Sequence, residues 1–238
     1  MHKIVFFLRF RSDVDRAEAE RRYADEHSAL VLAVPGVVRY VQNPVLTAAT
    51  LAGVDAAPPW VDGFSAIWFE DRGAYLAATS SPQWAAAGAA AAEIFDADWV
   101  AGGWAAEIEE RIKREGLGAP GDGVGTPPAG PVKLIGILRY RPDIDRDDCN
   151  RYWATTHGDL ALTISQIGHY THNHAIRPLI GDELAFDGFS ESWYADDQTY
   201  REAMASAEWK RLGADGDNLF DMSAFKSVIV EERVLRTP

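Results

Sequence analysis

The chain has 238 residues, of which 47% are hydrophobic and 25% charged. That is enough for one large domain or two small ones with a real core, and too ordinary for a collagen-like, coiled-coil or disordered protein. A formal net charge of -13 at pH 7 repels phosphate, so nucleic acid and anionic membrane surfaces are not expected partners. The single cysteine, Cys149, cannot close an internal disulfide, which suits a reducing compartment. Arg9 interrupts the apolar N-terminus, and the alanine-rich stretch 74–92 contains Thr79, Ser80, Ser81, Pro82 and Gln83, so neither reads as a signal peptide or a membrane span. A soluble, cytoplasmic protein is expected.

In chain order, the dominant feature is an internal repeat. Residues 3–16, KIVFFLRFRSDVDR, and 133–146, KLIGILRYRPDIDR, agree at seven of fourteen positions with an offset of 130. The same offset pairs His27 with His157, Leu30 with Leu160, Tyr40 with Tyr170 and Asn43 with Asn173. DGFSAIWF at 62 and DGFSESWY at 187 shift the offset to 125, which then pairs Trp68 with Trp193 and Trp84 with Trp209. Each copy predicts β-α-β-β-α-β. The first strand is 3–11 (132–141 in copy two), rich in β-branched and aromatic residues. A helix follows, N-capped by Asp15 or Asp145, with Glu18 completing a capping box in copy one. Tyr23, His27, Leu30 and Val34 form its apolar stripe, as do Trp153, His157, Leu160 and Ile164 in copy two. Strands are predicted at 37–43 (167–174) and 63–69 (188–194), then helices holding Trp84 or Trp209, then a last strand near 100–108 (226–234).

Between the copies, ten of the seventeen residues 115–131 are Gly or Pro, which marks a linker between a first domain at 1–114 and a second at 132–238. The fold class is α+β: two ferredoxin-like repeats packed sheet to sheet as an α+β barrel, formed within one chain or between chains of a homodimer.

The strand-one pattern, the His-x-x-Leu at 157–160, the Tyr-x-x-Asn at 170–173 and the Asp-Gly-Phe-Ser-x-x-Trp at 187–193 resemble EthD-like domains of the dimeric α+β barrel superfamily. The resemblance spans nearly the whole chain outside the linker. It implies the barrel more firmly than any activity. Relatives include muconolactone isomerases, aromatic polyketide cyclases, cofactor-free monooxygenases and dehydratases, and more distant members bind haem.

Candidate chemistry concentrates in copy two. His157 lies on an apolar helix stripe, where desolvation favours the neutral imidazole that serves as a general base. Tyr170, His172 and His174 alternate on one face of a strand, whereas copy one has Tyr40, Gln42 and Pro44 there. His-x-His spacing is compatible with a metal, but no further ligands are evident and none is expected. Glu191 sits mid-strand between Phe189 and Trp193, where copy one has Ala66. Such a carboxylate needs a partner, for which Arg139, Arg141 or Arg177 are candidates, or else a function.

The catalytic set is therefore His157, Tyr170, His172, His174 and Glu191. Trp193, Phe189, Asn173, His27, Tyr40 and Trp68 are expected to bind substrate, and copy one is expected to be degenerate. With the resemblance, these residues lead to a cofactor-free enzyme that isomerises, dehydrates or cyclises a hydrophobic, aromatic or polyketide-like molecule. The alternatives are a haem-binding oxidoreductase and a non-catalytic carrier of a hydrophobic metabolite.

Overall fold

The computed structural model describes residues 1–46, 59–116 and 130–237. Most of the expected linker, residues 117–129, lies outside them. Copy one runs β1 (His2–Leu8), α1 (Arg16–Arg22), a π-helical turn (Tyr23–His27), α2 (Ser28–Leu32), β2 (Val37–Pro44), β3 (Gly63–Phe69), α3 (Arg72–Thr79), α4 (Pro82–Ile94), α5 (Ala97–Ala101) and β4 (Ala105–Arg114). Copy two runs β5 (Val132–Leu138), α6 (Arg146–Tyr152), a second π-helical turn (Trp153–His157), α7 (Gly158–Leu162), β6 (His169–Pro178), β7 (Gly188–Tyr194), α8 (Asp197–Ala205), α9 (Ala207–Gly216), β8 (Lys226–Val230) and β9 (Arg233–Arg236).

Asp15 and Asp145 cap their helices as expected, accepting from Glu18 N and from Asp147 N and Asp148 N. Glu18, however, turns its carboxylate to Arg21 rather than back to the cap. The last strand of copy one starts later than expected. Asp96 caps the short α5 through Trp99 N, and Gly103, at φ +92, turns the chain before β4 begins.

The described strands form one antiparallel sheet in the order β8-β5-β7-β6-β4-β1-β3-β2-β9. Its two edges are close in sequence, since only Glu231 and Glu232 separate β8 from β9. The end of β2 also reaches β8, with Val45 opposite Val230 and Leu46 N donating to Ile229 O at 2.9 Å. The edges meet and the sheet closes into a barrel within the chain. β4 joins the copies on one side by pairing with its own β1 and with β6 of the other copy. On the other side β8 pairs with β5 and β9 with β2.

Strand alternation gives the barrel two apolar faces. Val5, Phe7, Phe64, Ile135, Ile137 and Phe189 fill its interior. The outer face packs under the helices as separate clusters, such as Ile4, Tyr40, Ile67 and Phe69 in copy one and Leu134, Tyr170 and Tyr194 in copy two. The repeated Asp-Gly-Phe-Ser aspartate holds this geometry. Asp62 accepts from Phe10 N and Arg16, and Asp187 accepts from Tyr140 N and Arg146. Of the repeated arginines, Arg11 and Arg141 pair with Asp13 and Asp143 at the surface.

The loop after β6 packs on the start of β4: Leu179 N donates to Ala105 O and Ala185 N to Gly103 O. A Cβ on Gly103 would lie 2.6 Å from Ala185 N. Gly103→Ala should therefore destabilise the protein by more than about 1 kcal/mol in thermal or denaturant unfolding. Gly88→Ala, in an exposed helix interior where a Cβ meets nothing within 4 Å, should stabilise it by about 0.5–1 kcal/mol.

Candidate functional site

The expected site residues separate onto the two faces of the sheet. Phe189, Glu191, Trp193, Asn173 and Trp68 point into the barrel. His27, Tyr40, His157, Tyr170, His172 and His174 lie on the helix side. Glu191 and the histidines of β6 are therefore not one constellation.

Inside the barrel, Glu191 is partnered by lysines, not by the arginines considered from sequence. Lys3 Nζ lies 3.0 Å from Glu191 Oε2 and Lys133 Nζ 2.8 Å from Oε1. The surrounding bonds are pseudo-symmetric. Lys3 also donates to Glu110 (2.7 Å) and to Asn173 of the other copy (2.7 Å). Lys133 donates to Glu232 (2.6 Å) and to Asn43 of the other copy (2.8 Å). Lys3 stacks on Trp68 and Lys133 on Trp193. Burial alone would raise the Glu191 pKa, but the charges of Lys133 and Lys3 hold it well below the usual carboxylate range. Arg177 pairs instead with Glu107.

On the helix side of copy two, the histidines are packed rather than open. His157 Nδ1 donates to Asp215 Oδ2 at 2.8 Å, and its ring meets Phe220 edge-on. Trp153 stacks on His172, with centroids 4.6 Å apart, and leans on His174 at 4.3 Å. His174 Nδ1 donates to Asn150 Oδ1. Both ring nitrogens of His172 are buried without a partner. Burial pushes His172 well below the ordinary histidine value and His174 down to about 4. Leu212 and Met204 pack against this half of the core.

Copy one differs at the corresponding positions. Ala87 replaces Leu212 and Thr79 replaces Met204, and both line an open cavity of about 550 Å³ between the sheet and the helices. The walls are mostly apolar, including Val31, Val34, Ile67, Trp84 and Phe95, with Leu179 and Ile180 contributed by copy two. His27 faces this space. It keeps the edge-on contact with Phe95 that His157 makes with Phe220, but Ala90 stands where copy two has Asp215. Its Nδ1 is buried and unpartnered, and burial lowers its pKa to about 4. The π-helical turn ends on this residue, as the matching turn ends on His157.

Ser65 also lines the cavity. Its Oγ lies 2.9 Å from Tyr23 Oη and hydrogen-bonds Tyr40, which in turn accepts from Gln42 Nε2. Among the described residues the cavity offers no Lys or Arg to receive the carboxylates of a haem, so those residues do not fit that group.

Sequence reading missed the cavity and the two barrel lysines. Alanines opposite Leu212, and a lysine inside the same apolar strand in both copies, were the available signals.

The EthD domain model matches residues 11–98 and 141–223, one segment in each copy. A proposed monooxygenase from Fusobacterium nucleatum is similar at 9% identity, with 98% of this chain and 93% of that one covered and a TM-score of 0.60. An anthrone oxidase-like protein gives 11% identity, 98% and 93% coverage and a TM-score of 0.61. A proposed monooxygenase from Lactobacillus acidophilus gives 12%, 99% and 95%, and 0.52. At these identities the likeness shows the fold, both copies included. No curated protein matches the sequence. Among the described residues no helix is long and apolar enough to cross a membrane.

Two outcomes are expected. Glu191→Ala should destabilise the protein by about 3–5 kcal/mol in denaturant unfolding, because it leaves two buried lysines short of a counter-charge. The depressed histidines bind fewer protons folded than unfolded. Stability should therefore fall as pH drops from 6.5 towards 4, by up to about 1.4 kcal/mol per pH unit for each such histidine. His172→Phe should flatten that slope, which pH-dependent unfolding measures.

With a match to more than half of its length, the chain belongs to the EthD family.

Proposed function

We propose that the chain is a small-molecule enzyme that takes a flat hydrophobic substrate into the copy-one cavity and transfers a proton through His27. The observation that carries this reading is an apolar cavity of drug-like size whose one imidazole has an unpartnered, buried Nδ1. It moves the working site from copy two, where the histidines cluster, to copy one, where there is space. The EthD family and the barrel relatives support a small-molecule pocket without specifying its chemistry.

The neutral imidazole accepts a proton from a substrate carbon next to a carbonyl, and the electron pair moves onto the carbonyl oxygen. Ser65 is the cavity end of a hydroxyl network. With Tyr40 and Tyr23 both donating to Ser65 Oγ, the Ser65 proton is free for that oxygen. Burial disfavours the imidazolium, but the oxyanion, once formed, is the counter-charge it lacked. Return of the proton to another atom of the substrate completes an isomerisation; given to a departing hydroxide, which leaves as water, it completes a dehydration, and given to the alkoxide formed when the anion attacks a second carbonyl of the substrate, it completes a cyclisation.

The test is to fill the cavity with copy two's own residues. The Ala87→Leu, Thr79→Met double variant should fold at least as stably as the parent and should lose binding of hydrophobic ligands by at least tenfold in a calorimetric titration. His27→Ala should keep binding and lose turnover by about 10²–10⁴-fold. Unchanged binding in the filled variant would sink the reading.

A further inference from the structure

We propose a second small-molecule site inside the barrel, at a mouth walled by Trp68 and Trp193, for a small, planar, uncharged molecule of the aromatic-ketone class. The space measures about 380 Å³ and is bounded also by Arg39, Val41, Ala66 and His169. It lies across the sheet from the copy-one cavity: on β3, Ala66 and Trp68 face the barrel while Ser65 and Ile67 face the helices. Trp68 and Trp193 are repeat counterparts, so the pseudo-symmetry brings one indole from each copy to the same mouth. Their surfaces, with Val41 and Ala66, suit a flat apolar body.

The polar groups that remain uncommitted there are N–H donors. Trp68 Nε1 donates to Glu110, but Trp193 Nε1 is buried with no acceptor. Arg39 stacks its guanidinium 4.6 Å over Trp68, and its buried Nε is likewise without a partner. His169 Nε2 lies 3.1 Å from Thr171 Oγ1, and with Thr171 donating to it the proton sits on the unpartnered Nδ1. Trp193 and His169 are 2% and 3% exposed, so bulk water does not serve these donors. Buried donors without acceptors are rare, and several around one cavity point to a ligand that brings acceptor oxygens.

Charge decides which kind of acceptor. The cations around the mouth are Lys3, Lys133 and Arg39, and the buried or half-buried anions are Glu110, Glu191 and Glu232, with Glu115 on the exposed rim. Each lysine is already bonded to two carboxylates. The interior balances as it stands. A ligand carboxylate would add uncompensated negative charge, and an ammonium would meet Lys133 and Arg39. A carbonyl oxygen takes the free N–H groups and leaves the balance unchanged.

The site is independent of the copy-one reading, and the test separates them. In the full-length, ¹⁵N-labelled protein, Trp193→Phe identifies one indole N–H signal among the eight tryptophans. Titration with 1-indanone should move that signal saturably, while indane, which has the same shape and no oxygen, should not. Arg39→Met should weaken the titration about tenfold. The Ala87→Leu, Thr79→Met variant should leave it unchanged. The proposal is overturned by the absence of a saturable shift, by an equal response to indane, by tighter binding of benzoate than of 1-indanone, or by loss of the response in the cavity-filled variant. The indanone and indane comparison on the parent protein needs no substitution to fold.

Discussion

One carboxylate shared by two lysines at the centre of the barrel sets how the copies fit together. Lys3 and Lys133 are equivalent by repeat, as are Glu110 and Glu232, and each lysine reaches an asparagine of the opposite copy. Glu191 alone has no equivalent, because copy one has Ala66. Arg39 is the compensating difference, opposite His169 in the repeat. Copy one paired with itself would bury an excess of positive charge from two Arg39 residues. Copy two paired with itself would bury an excess of negative charge from two Glu191 residues. Only the mixed pair is balanced, which is a charge-based reason for the copies to recognise each other.

The helix sides of the sheet have diverged in the opposite sense. Copy two carries the larger residues, Leu212 and Met204, and a tryptophan that covers two histidines. Copy one carries alanines and keeps room for a ligand. The duplicated histidine has drifted with its surroundings. His157 has Asp215 as an orienting partner, while His27 stands beside Ala90 with its Nδ1 buried and unpartnered. The histidines and their partners thus lie in the copy whose helix side is the more tightly packed. Residue type alone does not show which of two homologous sites has space for a ligand.

Much of the fold was legible because repetition doubles every signal. The strands at 63–69 and 188–194 fall where alternation places them, and both aspartate caps follow from local chemistry. The last strand of copy one was displaced because α5 and Gly103 intervene, a tertiary detail that propensity does not carry. The site was less legible. Alternation correctly put Tyr170, His172 and His174 on one face, but a sheet with two buried faces gives no sign of which face is the barrel. Glu191 was recognisable as anomalous, yet its lysine partners lie on β1 and β5, and only strand pairing brings them to it. An absence of side-chain volume, as at Ala87, is invisible until the opposite wall is known.

Leu179 and Ile180 give the copy-one cavity part of its wall, although they belong to copy two. Their loop is fastened to the entrance of β4 at Ala105 and Gly103. A molecule bound against this wall would touch both halves of the protein, and its binding energy would be linked to the free energy that holds them together. Occupancy would slow the separation of the halves, and a loosened barrel would leak its cargo. A ligand in this arrangement would be a third structural member, bridging two copies that the chain otherwise joins through its sheet and its linker.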